Sequence, residues 1–259
     1  MTAPTVTVTA QPPTSTPPTS TSTSTPPPVA GKWRDVYFEG FDREAPLGQV
    51  GQVYGGAMRG YADGARDTSK RGLYDPDRVL SVKGGVLDWW VRTINGQPLV
   101  ATPVPADYLG QTYGRYEVRF RADPVPGFKT AFLLWPSDTA AGPGDWNDGE
   151  IDFPEGNLNG SIFGYSHDRL GDIEDNAFWV STGKGYGAWQ TAVIEWEPNR
   201  LAFYLDGRLL GETSDPAAIP IVDMRLTLQV ETGTGGEAIP ASAQGHVQVD
   251  SVRIQAYTG

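Results

Sequence analysis

Five carboxylates fall within thirteen residues at positions 144–156, GDWNDGEIDFPEG. Two chemistries use oxygen acids at that density: holding a hard cation, and moving a proton between paired carboxyls. The stretch superficially matches an EF-hand loop. Counting from Asp145, however, the glycine falls one place early, and so does Glu155, which would have to be the bidentate ligand. With no helical pattern on either side, spacing excludes that loop and leaves a solvated acidic turn or a strand. On a strand, Glu150 and Asp152 project from one face, and strict alternation puts Pro154 next. A β-bulge there returns Glu155 to the same face and suits a residue with no N–H for the ladder. Carboxyls so close raise the pKa of at least one of them. The set can then hold an ionised nucleophile beside a protonated acid, the combination that breaks a glycosidic bond.

Such residues need rigid strands to aim them, and from Lys32 onward the chain reads as strands. Short alternating runs are punctuated by Gly, Pro, Asn and Asp, with no long stretch of helical periodicity. In TYGRYEVRFRA, Tyr116, Val118 and Phe120 share one face while Arg115, Glu117, Arg119 and Arg121 share the other, as in a strand packed on one side. In WQTAVIEWEPNRLAFYLDGRLLGE, turns at 197–200 and at Asp206-Gly207 predict two consecutive hairpins. Similar runs occur in GVLDWWVRT, TAFLLWP, SIFGYSH, MRLTLQVET and HVQVDSVRI. An all-β, two-sheet jelly roll is the expected fold, as one domain over residues 32–259.

Residues 1–31 differ in kind. They are almost wholly Thr, Ser, Pro and small residues, a composition that builds no core and reads as a disordered, extended tether. No export signal and no apolar run of transmembrane length are visible. A formal charge of -11 repels nucleic acid and anionic membranes, so a neutral partner is expected. The absence of cysteine removes disulfides and thiolate metal sites. Eight tryptophans and eleven tyrosines offer flat apolar faces of the kind that sugar rings lie on, although burial is their commoner fate.

At the acidic stretch the chain resembles glycoside hydrolase family 16, the laminarinase and lichenase group, whose bulged signature E-x-D-x-x-E stands here as Glu150-Ile-Asp152-Phe-Pro-Glu155. The resemblance continues in order through FEGFD (38–42), YGRYEVRFRA (113–122), GFKTAFLLWP (127–136), WQTAVIEWEPNRLAFYLDG (189–207) and VQVDSVRIQAY (247–257). It implies a concanavalin A-like jelly roll with an open concave cleft. Glu150 is then the nucleophile, Glu155 the general acid/base and Asp152 their assistant, in a retaining double displacement. Retention rests on the resemblance alone. Positions 150 and 155 lie roughly 13 Å apart along a strand, and a retaining pair needs about 5–5.5 Å between carboxyls.

Around the triad, Trp135 and Trp146 are read as sugar platforms or core, His167 as a cleft-facing hydrogen-bonding residue, and Gln229 and Glu231 as a pair on one face of a cleft strand. Glu231 departs from the apolar or aromatic residue common in relatives. The run GTGG (233–236) resembles a cleft-edge loop, and no P-loop lysine accompanies it. Relatives often carry a structural calcium away from the cleft, which here would involve Asp250 and Glu39; catalysis itself requires no cofactor. The expected activity is endo-hydrolysis of a β-1,3-glucan or related β-glucan by an extracellular or cell-surface monomer. A galactan hydrolase or cell-wall transglycosylase on the same scaffold, and a non-catalytic carbohydrate-binding module, are the alternatives.

Overall fold

A computed structural model of the protein describes residues 31–61, 63–137 and 144–259. Apart from Gly31, the tether read at 1–31 lies outside the described residues. Fifteen strands follow one another: β1 (Trp33–Glu39), β2 (Leu73–Tyr74), β3 (Leu80–Val82), β4 (Leu87–Ile94), β5 (Gln97–Val100), β6 (Gly114–Ala122), β7 (Phe128–Pro136) and β8 (Ile151–Asn157). The second half comprises β9 (Phe163–His167), β10 (Asn176–Ser181), β11 (Gln190–Glu197), β12 (Arg200–Leu205), β13 (Arg208–Thr213), β14 (Met224–Thr232) and β15 (Gln244–Tyr257). The longest α-helix is the five-residue segment Val50–Tyr54, and no helix among the described residues is long and apolar enough to cross a membrane.

Five strands form a small sheet in the order β10-β9-β8-β7-β14, and the other ten form a large one built around β11-β6-β15-β4. Both predicted hairpins are present, β11–β12 across residues 197–200 and β12–β13 across Asp206-Gly207. Asp206 and Gly207 both take positive φ (52° and 77°), the conformation a two-residue turn needs to match strand twist and one that favours glycine.

Alternation along the strands decides what lies between the sheets. From the small sheet Phe132, Leu134, Ile151 and Phe153 point inward and are buried; from the large sheet Trp89, Phe120, Trp196 and Phe203 meet them. Rings bridge the layers at Trp89–Phe132 (6.2 Å between centroids) and Phe153–Phe203 (5.2 Å). Each such side chain contributes roughly 1.5–3 kcal/mol of burial, so this layer holds β7 and β8 rigidly while their opposite faces stay free for other work.

One sequence expectation needs correction. Tyr116, Val118 and Phe120 do face the core, but Arg115, assigned to the solvent face, is itself buried. Its guanidinium pairs with Glu117 (2.9 Å) and Glu195 (3.6 Å), and hydrogen-bonds Gln255 (3.2 Å). Alternation predicted the face correctly; neighbouring strands then covered that face with polar partners.

Candidate active site

Gly149 opens the acidic strand with φ 108°, and a Cβ there would lie 2.9 Å from the Pro220 ring, so glycine is what lets the chain turn into β8 at that point. Glu150 stands one residue before β8 and is tied to β9 through its carbonyl, which accepts the His167 N–H at 3.0 Å. Ile151 and Phe153 enter the core, so Glu150 and Asp152 face the other way.

The bulge expected at Pro154 is present on both sides of β8. Against β7, Leu133 is opposite Asp152 and Ala131 opposite Glu155; against β9, Tyr165 is opposite Asp152 and Phe163 opposite Glu155. Three steps on β8 thus match two on each neighbour, and the extra residue returns Glu155 to the face of Asp152. The Phe153–Pro154 peptide is cis.

That face floors a cleft of about 590 Å³ lined by Glu150, Asp152 and Glu155, with Trp135, Trp146 and His167 alongside them. Gln229 and Glu231 from β14 line the same cleft, so every residue read as substrate-facing reaches it. Trp146 sits in a short 3-10 turn whose ends are tied by an Asp145–Asp148 capping box, and its ring meets the His167 imidazole edge-on at 6.1 Å. The remaining pair lies elsewhere. Asp250 is ion-paired to Arg119 and accepts the Ser251 hydroxyl at 3.1 Å, while Glu39 accepts the Phe41 N–H at 2.8 Å. A calcium ion at Asp250 would have to displace the Arg119 guanidinium, so that carboxylate as arranged does not fit one.

Several groups in the cleft carried little sequence signal. Lys129 on β7 places Nζ 2.7 Å from Glu155 and 3.5 Å from Glu231. A lone lysine inside the apolar run GFKTAFLLWP was the available hint. Besides Tyr61, the segment 63–74 brings Arg66, Lys70 and Tyr74 to the cleft. It is held there by buried Asp67, which accepts from the backbone N–H of Gly72 (3.0 Å) and of Thr232 (2.8 Å). No motif marks that segment, because its anchor lies more than 160 positions away in the chain.

Burial, then the Asp152 charge, push the Glu150 carboxyl far above the ordinary carboxylate range. The same two causes raise Glu155 to about 7, with Lys129 pulling the other way. These carboxyls titrate together, so the set retains a proton near neutrality and still keeps an ionised oxygen. For His167, burial opposes the imidazolium, but hydrogen bonding to and the charge of Asp152 outweigh it and the pKa rises. Its Nδ1 lies 2.8 Å from the Ile173 carbonyl and so must be the N–H there, which turns Nε2 toward Asp152 Oδ2 at 3.5 Å. Among the described residues, Glu150, Asp152 and His167 are also the one group of three whose donor atoms lie within 4.8 Å of one another. With the Lys129 ammonium beside Glu155 on the same floor, the donor set suits proton transfer better than a dication.

The sequence profile of glycosyl hydrolases family 16 matches residues 108–253. The chain belongs to this family. Its relatives include a beta-glucanase of Bacillus amyloliquefaciens, 25% identical over 129 residues that make up 48% of this chain and 49% of that protein. Another is the endo-1,3-1,4-beta-glycanase ExoK of Rhizobium meliloti (strain 1021), 33% identical over 114 residues, 42% of this chain and 39% of that one. The chain thus spans about half or less of the length of these curated relatives. In fold it is similar to the laminarinase from Rhodothermus marinus, with a TM-score of 0.67 at 20% identity over 88% of this chain and 98% of that one. The family 16 jelly roll accounts for the two sheets and for the open cleft on the small one.

Proposed function

We propose that this family 16 protein is an endo-acting, retaining hydrolase of a β-glucan, with β-1,3-linked glucan the first substrate to try. The observation that carries the reading is the bulged strand, which gathers Glu150, Asp152 and Glu155 on the floor of one aromatic-lined cleft. Binding alone has no use for three crowded carboxyls, and this disfavours a purely lectin-like module. An open cleft, in place of a closed pocket, suits attack at internal linkages.

In the proposed reaction the proton that the two coupled glutamates hold near neutrality sits on Glu155, which gives it to the glycosidic oxygen as the ionised Glu150 attacks the anomeric carbon. The leaving sugar departs as an alcohol and a glycosyl ester forms on Glu150. Glu155, now a carboxylate, takes a proton from water as the water oxygen attacks the same carbon, releasing Glu150. Asp152, held toward His167, favours the protonated state of its neighbours before the first step and after the second. Trp135 and Trp146 offer faces for sugar rings, and Gln229 offers an amide for hydroxyl groups. The same reading puts the protein outside the cell, where polymeric glucan lies, with residues 1–31 as a tether.

The test is a panel of β-1,3-, mixed-linkage and β-galactan polymers, with product sizing and proton NMR of the first anomer released. Internal cleavage with retained configuration is expected, and it should vanish in Glu150→Gln and Glu155→Gln. Inverted product, or release no faster than in those variants, would sink the reading.

A further inference from the structure

Glu155 is surrounded by charge from every element packed against it. Asp152 and Glu150 flank it along its own strand, Tyr165 and His167 face it from β9, and the Tyr186 hydroxyl lies beneath, hydrogen-bonded to the Gly156 carbonyl at 3.1 Å. Arg66 and Lys70 line the same cleft. One cation touches it: Lys129, at 2.7 Å from Oε1. A bare ammonium at that distance would hold a glutamate ionised and spoil it as an acid.

Lys129 is not bare. β7 and β14 pair with Lys129 directly opposite Glu231, and Nζ lies 3.5 Å from Glu231 Oε1. Glu231 is only 1% exposed, and its other oxygen accepts the Thr68 N–H at 3.2 Å. Its charge is therefore fixed in place by the backbone at Thr68 on one side and by Lys129 on the other. The lysine charge is shared between two carboxyls, one in the cleft floor beside the reacting bond and one buried behind it.

We propose that Lys129 and Glu231 are a matched charge pair whose role is to set the proton affinity of Glu155, Lys129 strengthening it as an acid and Glu231 limiting that effect. This rests on the reading of Glu155 as the acid/base. When Glu155 is protonated, Oε1 still accepts from the Lys129 ammonium and the proton sits on Oε2, free to be given to the leaving oxygen. Once it is given, Lys129 stabilises the carboxylate formed; Glu231 keeps that stabilisation small enough for the same carboxylate to take a proton back from water. Both are positioning residues, since they act through Glu155.

The experiment is the pH dependence of kcat/KM for wild type, Lys129→Met, Glu231→Gln and the double variant. Removing the cation should move the basic limb up by roughly one pH unit. Glu231→Gln, nearly isosteric, leaves the cation uncompensated and should move the limb down. The double variant should lie between wild type and Lys129→Met, and it serves as the folding control because it removes the buried Glu231 charge together with its lysine. Shifts in the same direction for both single variants, or a limb that stays within about 0.2 units in both, would overturn the inference. Carbon-13 NMR titration of the Glu155 carboxyl in a Glu150→Gln background, with and without Glu231→Gln, reads the same effect without turnover. If Glu155→Gln keeps wild-type activity, the functional reading fails, while that titration still decides the charge pair.

Discussion

Two regions of this protein carry dense Glu, Lys and Arg on a sheet face, and they use them in opposite ways. On the large sheet every carboxylate of the cluster has a cation close by: Glu117 at Arg115 (2.9 Å), Glu195 and Glu197 each at Arg200 (2.9 Å), and Glu212 at Arg200 (2.7 Å). On the small sheet Glu150 has no ion-pair partner among the described residues, and Asp152 faces only an imidazole at 3.5 Å. Carboxylates each matched to a cation hold strands together; glutamates crowded in a half-buried cleft with too few cations hold protons. The difference lies in how neighbouring strands put opposite charges in register, for the residue types are the same.

The largest expected effect comes from removing the two cleft glutamates. Glu150→Gln and Glu155→Gln should each lower kcat by roughly 10³-fold or more. Glu150→Gln should at the same time raise the melting temperature at neutral pH by a few degrees, because it replaces a carboxyl whose ionisation burial opposes. A variant that loses activity and also loses stability would break the contrast between the regions.

Arg115→Met is the converse experiment. It strands Glu117, leaves Glu195 with Arg200 alone, and should cost about 2–3 kcal/mol. A thermal melt should show a drop of roughly 5–10 °C, with kcat within about twofold of wild type after refolding controls.

A smaller effect separates the regions by pH. Glu150 and Glu155 have folded-state pKa values above their unfolded values, so the stability they contribute is complete below about pH 4 and is lost as pH rises through the folded values. The melting temperature of the wild type should therefore decline from pH 5 to 8 more steeply than that of Glu150→Gln. Activity should fall on the basic side near pH 7, where Glu155 gives up its proton. A basic limb that survives unchanged in His167→Asn would assign it to the carboxyls and not to the imidazole.

Smallest is the turn. Gly207→Ala places a side chain at φ 77° and should cost about 1 kcal/mol with no change in activity. A larger loss would mean that the large sheet's hairpins support the cleft more directly than the contacts indicate.

Much of this was legible along the chain. Period-two alternation marked β4, β6, β7, β9, β11, β12, β14 and β15, because a strand between a core and another face must alternate. Glu150, Asp152 and Glu155 could be placed on one face because Pro154 lacks an N–H, so a bulge there was the economical way to continue the strand. Arg115 shows the limit of such reasoning. Alternation names a face but not what covers it, and burial of that face depended on which strands arrived beside β6.

What the sequence determined by itself is local: strand period, turn chemistry and the order of three acids around a proline, all fixed by backbone geometry over a few residues. What only the tertiary structure decided is the electrostatic setting of those acids. Lys129 meets Glu231 across a strand register joining positions a hundred apart, and Asp67 pins the cleft-lining segment 63–74 to Thr232, 165 residues away. Such contacts carry no pattern in sequence, because Coulomb forces and hydrogen bonds act through space and any fold that closes the sheets chooses the partners.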